Sequence, residues 1–180
     1  RELNSNPDQK PGRSIINFFN WSIEKASLYE EPFKIALEKV KPFRDTKKDK
    51  AHRERWWQYS RHSPALLKKL KNLTSCFAVA RTTKHLSFSA APTNYVFSDA
   101  LVVFASDRWD LFTVVQSTIH EQWARKYSGS LKQDLRYSPS DCFNTFAFPG
   151  EIWDEPSSSL ADTGENYHEH RKSLMANLWL

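Results

Sequence analysis

Glycine is nearly absent: the 180 residues hold four, at positions 12, 129, 150 and 164. So few cannot write a glycine-rich phosphate loop or a dinucleotide fingerprint, which excludes sites of those types. Cysteine is scarcer still. Cys76 and Cys142 form no CxxC pair and cannot build a disulfide framework. Each stands beside a phenylalanine in an apolar run, so both are expected as reduced core residues. No apolar run approaches the ~20 residues of a membrane span, and no signal peptide is written at the start. An intracellular, soluble, cytoplasmic protein is the expectation. The chain begins with Arg1 and ends inside a helical pattern, which suggests an excerpt of a longer protein.

Catalytic constellations are missing as well. His120-Glu121-Gln122-Trp123-Ala124 opens like the zinc-protease HExxH but puts Ala124 where the second histidine must stand. His168 and His170 are two apart on a predicted helix, and helical neighbours are three or four apart. The acidic tail shows no carboxylate pair followed by the lysine of a metal-dependent nuclease, and no Ser/His/Asp or Cys/His set stands out. Neither an enzyme nor a metal site is expected in this chain.

What the chain does hold is charge asymmetry and aromatics. The net charge is +5 and the pI about 9.2, a mild pointer to an anionic partner. From Lys41 to Asn72 there are eleven Lys or Arg against three acids; from Ser138 to His170 there are seven acids and no Lys or Arg. One binding face and one solvated or partner-facing end would produce such blocks. Aromatics reach 14%.

Leu101 to Ser128 is the predicted nucleus. Leu101–Ala105 reads as a buried strand. Leu111, Val114, Val115, Ile119 and Trp123 then fall on one stripe of a single helix, capped by Asp107 or Asp110 and stopped at Ser128-Gly129. Its polar face carries Gln116, His120, Gln122, Arg125 and Lys126.

Before it, residues 1–13 read as a linker and Ser14–Trp21 as a strand or docking segment. A short helix is predicted over Ile23–Glu30, and a second, opened by Pro32, with Phe33, Leu37 and Val40 inward. Lys41–Arg55 reads as a solvated loop or a phosphate-contacting arm. Arg53 to His62 interleaves basic and aromatic residues, as nucleic-acid surfaces do, and one tryptophan of Trp56-Trp57 is expected in the core. Another helix opens at Ser63-Pro64, with Leu66, Leu67 and Leu70 inward. Strands are predicted at Cys76–Ala80, Leu86–Ala90 and Tyr95–Ser98. After the long helix, Ser130–Pro149 reads as irregular, Glu151–Gly164 as an acidic linker, and Thr163 onward as a terminal helix. Closely spaced short strands give an α+β fold, a mixed and mostly antiparallel sheet packed by the long helix, with flanking helices at both ends. Residues 14–149 form the predicted domain, and 150–180 the acidic linker and start of a C-terminal helical segment.

Candidate nucleic-acid contacts follow from residue type and place. Arg53, Arg55, Arg61, Lys126 and Lys132 are the candidate phosphate contacts, with Trp57 beside them. Arg81, Lys84, His85, Arg136 and Ser138 are the candidate base or groove contacts, Arg81–His85 lying between two predicted strands.

Several blocks carry a family resemblance: Trp56-Trp57-Gln58-Tyr59, Thr83–Phe88, Val96-Phe97-Ser98, Leu101–Ala105, Gln116–Ala124 and above all Leu135–Pro149. Tyr167 to Met175 adds to it. From about Ile15 onward the chain resembles the region after the catalytic domain in large adenine-specific DNA methyltransferases of restriction-modification and phage-defence systems, of the MmeI-like type. The resemblance implies a target recognition domain that grips double-stranded DNA while a catalytic methyltransferase domain of the same longer chain methylates an adenine at N6 with S-adenosylmethionine. The Asn-Pro-Pro-Tyr-type catalytic loop and the cofactor motif of that family are absent here. The implied function is therefore a non-catalytic specificity module without a cofactor of its own. A protein-docking module and a metal-dependent nuclease fragment are the alternatives.

Overall fold

The computed structural model describes residue 6 and residues 9–59 and 63–177. They fall into two compact units, residues 13–67 and residues 68–180, with residues 1–12 grouped with the second.

The first unit is helical: α1 (Ile23–Ser27), α2 (Glu30–Lys39), α3 (Lys41–Asp45) and α4 (Lys50–Glu54). Its core is Phe18, Ala26, Ala36 and Trp56, with Trp21, Ile23, Phe33 and Trp57 packed against it. The Ser14–Trp21 segment is not a strand. Asn17 accepts the Phe19 N–H at 2.9 Å, an Asx turn that leaves Phe19 at φ 49° and breaks extended pairing. Lys41–Arg55 is not a loop, because Pro42 opens α3 and the Asp49 carboxylate caps α4 through Ala51 and His52 N–H. Small Ala36 takes the buried position of α2, while Leu37 and Val40 stay exposed.

Helix α5 (Pro64–Leu70) leads into the second unit, with Leu70 buried and Leu67 exposed. Strands β1 (Ser75–Ala80), β3 (Phe88–Pro92) and β4 (Leu101–Phe104) form one antiparallel sheet in the order β3-β1-β4. The register places Phe77 opposite Ala90 and Phe104, and Val79 opposite Phe88 and Val102. Cys76 to Val79 are all buried, as a central strand requires. A second antiparallel sheet, order β2-β6-β5, joins β2 (Thr82–Thr83), β6 (Asp134–Arg136) and β5 (Gly129–Leu131). The fold is α+β with two small sheets rather than one mixed sheet. Tyr95–Ser98 forms no strand: turns at Pro92–Tyr95 and Ser98–Leu101, the latter supported by Ser98 Oγ accepting Ala100 N–H, consume its backbone groups.

The predicted long helix is two, α6 (Trp109–Gln116) and α7 (Thr118–Tyr127). Ser117 is extended (φ −65°, ψ 153°); its hydroxyl donates to the Val114 carbonyl and accepts the His120 N–H, ending one helix and capping the next. That break resets the helical phase. Ile119, predicted inward, is 72% exposed, and His120, predicted outward, is fully buried. Phe112 and Val115 face the core with Phe77, Val79, Phe88 and Tyr137. Each such buried side chain contributes about 1.5–3 kcal/mol.

Neither Asp107 nor Asp110 caps α6, whose N-cap is Arg108 without a side-chain bond. Asp110 is buried, which opposes its ionisation, but hydrogen bonds from Arg108 and from Ser157 and Leu111 N–H hold its carboxyl below the usual range. Arg108 also donates to the Ile152 and Trp153 carbonyls. These contacts order the stretch expected to be an acidic linker: a 3-10 turn at Gly150–Trp153, then α8 (Ser158–Asn177). Gly164 lets α8 approach α6 closely; an added Cβ would lie 2.3 Å from Thr113 Oγ1 and 2.7 Å from the Trp109 carbonyl.

Candidate nucleic-acid interface

The second sheet organises one group of candidate contacts. Thr83 and Leu135, paired across β2 and β6, are buried, while Thr82 and Arg136, the next pair, are exposed. Alternation along a strand sends one set inward and the other out. Arg136, flanked by Thr82 and Gly129, therefore stands on the outer face of the central strand. Lys132 occupies the two-residue turn between β5 and β6 at φ 58°, and is exposed. Immediately before β5, the last turn of α7 presents Lys126, at the end where a helix favours cations, while Arg125 beside it is paired with Glu121. Lys126 Nζ lies 5.3 Å from the Tyr127 ring, which packs tilted against Trp123 with centroids 4.3 Å apart.

The loop flanking β2 carries the rest. Arg81 donates its backbone N–H to Ala100 and accepts the Tyr137 N–H, so it ties one sheet to the other. Its side-chain Nε reaches the Asp99 carbonyl at 2.9 Å. Lys84 and His85 are exposed, on a turn closed by Thr83 Oγ1 donating to the His85 carbonyl at 2.7 Å. Ser138 sits where β6 gives way to a π-helical turn, Pro139–Phe143. Its hydroxyl contacts Ser140 Oγ at 3.1 Å, and its N–H donates to Ser128 Oγ. Hydrogen bonds from Ser138 and Ser140 lower the pKa of Asp141, so the hydroxyl lies beside an anion. Such a carboxylate suits an exocyclic amino group of a base better than a phosphate. Asp141 was not singled out from the sequence, where one acid among serines carries no signal.

The remaining candidates belong to the first unit. Arg53 donates Nη1 to the Lys47 and Lys48 carbonyls at 2.7 and 2.8 Å, bracing the turn between α3 and α4. Arg55 is exposed. Trp57 is half-buried, its Nε1–H given to the Trp21 carbonyl at 2.9 Å, while Trp56 is buried. Arg61 lies outside the described residues.

Buried polar groups support this geometry. His120 Nε2 lies 2.9 Å from the Tyr137 hydroxyl inside the core, and burial pushes the histidine down to about 4. Burial also raises the Tyr137 and Cys142 pKa values and takes the Cys76 thiol up to about 11; both cysteines are free. Among the described residues no group of three His, Cys, Asp or Glu is placed to hold a metal, and no helix is long and apolar enough to cross a membrane.

A family model, described as the target recognition domain of MmeI, matches residues 16–150. No curated protein matches the chain. Among solved structures, the Type IIL restriction-modification enzyme MmeI in complex with DNA has a similar fold, with a TM-score of 0.59 at 17% identity. The similarity covers 89% of this chain and 25% of that one, so the chain spans about a quarter of the length of its structural relative.

Proposed function

The chain belongs to the MmeI target recognition domain family, and from that premise we propose that it is the sequence-reading module of an N6-adenine DNA methyltransferase of a restriction-modification or related phage-defence system. Its partner is double-stranded DNA. Methyl transfer from S-adenosylmethionine belongs to a catalytic domain of the same longer polypeptide, acting in the cytoplasm. The observation that carries this reading is the exposed set around the second sheet: Lys84, His85, Lys126, Lys132 and Arg136 surround one short ribbon with Arg81 at its root. Cations supply sequence-independent grip on phosphates, and arginine and histidine on rigid strands and turns can reach base edges.

The test is selection from a pool of randomised duplexes at two salt concentrations. Enrichment of one short motif, with affinity falling steeply in salt, is the expected result. Salt-dependent binding without enrichment would reduce the chain to a basic clamp. Binding to a protein that is insensitive to salt, with none to DNA, would favour a docking module.

A further inference from the structure

Between β2 and β3 the backbone runs from Lys84 to Ser87 outside either sheet, yet three helices far away in sequence send side chains to it. Arg125 of α7 donates Nη2 to the Lys84 carbonyl at 2.7 Å. Gln116, the last residue of α6, donates Nε2 to the Leu86 carbonyl at 3.2 Å and accepts the Phe88 N–H at 2.8 Å. Arg171 of α8 donates to Ser87 Oγ at 2.7 Å, to the Phe88 carbonyl and to Ser89 Oγ at 3.1 Å. Arg171 makes these bonds although burial works against its charge and its Nε has no partner among the described residues. A half-buried guanidinium committed to hydroxyls and a carbonyl fixes geometry more than it balances charge.

Arg125 is occupied likewise. Its Nε and Nη2 both bond Glu121 Oε1, at 3.0 and 2.7 Å, while Nη2 also holds Lys84. Its charge is paired with Glu121, and Nη2 alone also reaches backbone, at the Lys84 carbonyl. The two side chains left outward on this segment are Lys84 and His85.

We propose that Gln116, Arg125 and Arg171 are positioning residues for DNA reading: they lock the Lys84–Phe88 backbone so that Lys84 and His85 meet the duplex in one geometry. The proposal rests on the DNA-reading function given above. A segment already ordered in the free protein loses no ordering entropy on binding, and that saving falls on the contacts requiring exact placement.

The test uses the full-length polypeptide carrying this chain, with Arg125→Ala and with Arg125→Lys, which keeps the charge but not the fork. Without DNA, amide exchange over residues 84–88 should accelerate in Arg125→Ala and at Phe88 in Gln116→Ala, while β1 keeps its protection. With DNA, Arg125→Ala should lower affinity about tenfold for a duplex selected from a randomised pool, the scale of one lost base contact. Affinity for the unselected pool and the salt slope should not move. In a Lys84→Ala/His85→Ala background the same change should have no further effect, because the coupled residues are gone. Arg125→Lys should fall with Arg125→Ala.

Unchanged exchange in the variants would overturn the proposal. So would an equal loss in the background lacking Lys84 and His85. A salt slope shallower by about one would make Arg125 itself a phosphate contact, and so overturn its positioning role. A parent protein that selects no sequence at all would overturn the DNA-reading function, and this proposal with it; that failure is recognisable because it precedes any variant.

Discussion

Arg81 is the residue whose chemistry is most sharply testable. Its Nε is held by the Asp99 carbonyl and its backbone joins both sheets, so its guanidinium is presented from a fixed root. Replacement by alanine should relax preference at one base pair by about 1–3 kcal/mol, measured on the selected duplex and its single-base variants; uniform weakening on all duplexes would mark a phosphate contact instead. His120 gives a second prediction at this scale. Burial disfavours its charged ring and pushes its folded pKa down to about 4, below the ordinary imidazole value of 6.5. Its contribution is therefore complete above about pH 6.5 and is lost as pH falls from there through 4. Urea melts between pH 8 and 4 should show stability falling in that window, and His120→Gln should flatten this part of the slope. His168 acts in the same sense: burial, then Arg171, lowers its pKa, and its Nε2 accepts the Ala90 N–H in the neutral form.

At the scale of elements, the contact of α8 with α6 turns on one missing side chain. A Cβ at Gly164 would meet the Trp109 backbone carbonyl at 2.7 Å as well as Thr113 Oγ1. Gly164→Ala should destabilise the protein by about 1–3 kcal/mol, the cost of overpacking. Adding Thr113→Ala should not restore it, since the carbonyl remains and the Thr113 bond to Leu160 is lost. Thermal melts of the single and double variants check this. The edge strand β3 shows a related economy. Its outward Phe88 and Ala90 N–H groups are taken by Gln116 and His168, and its Phe88 carbonyl by Arg171, so the sheet edge is covered by side chains rather than left to pair with another chain. The strand β4 lies where local sequence puts it. The break at Ser117 was equally local in origin, but a serine within an apolar stripe gives no sign of which backbone groups its hydroxyl will take.

For the whole molecule, the exposed cations around the second sheet set the salt dependence. If Lys84, Lys126, Lys132 and Arg136 each neutralise one phosphate, log affinity should fall against log salt with a slope of about −3.6 from this set, at about −0.9 per contact. Removing Lys126 or Lys132 should make the slope shallower by about one unit without changing the selected motif. A titration of the selected duplex at several salt concentrations measures both. Arg53 should contribute little to that slope, because its Nη1 is committed to the Lys47 and Lys48 carbonyls.

The sequence by itself determined the α+β class, the two buried cysteines, one buried tryptophan of the Trp56-Trp57 pair, the end of the α7 helix at Ser128, and the family. These follow from short-range spacing, composition and a specific block at Leu135–Pro149, all carried by neighbouring residues. Only the tertiary structure decided that the sheet is two sheets, that His120 turns inward, that the acidic stretch is pinned by Arg108, and that Gln116, Arg125 and Arg171 converge on one loop. The side-chain contacts among these join residues 28 to 84 positions apart, and the inward turn of His120 depends on a helical phase reset. Periodicity assigns a face within one element, whereas the partner that face meets is set by packing between elements.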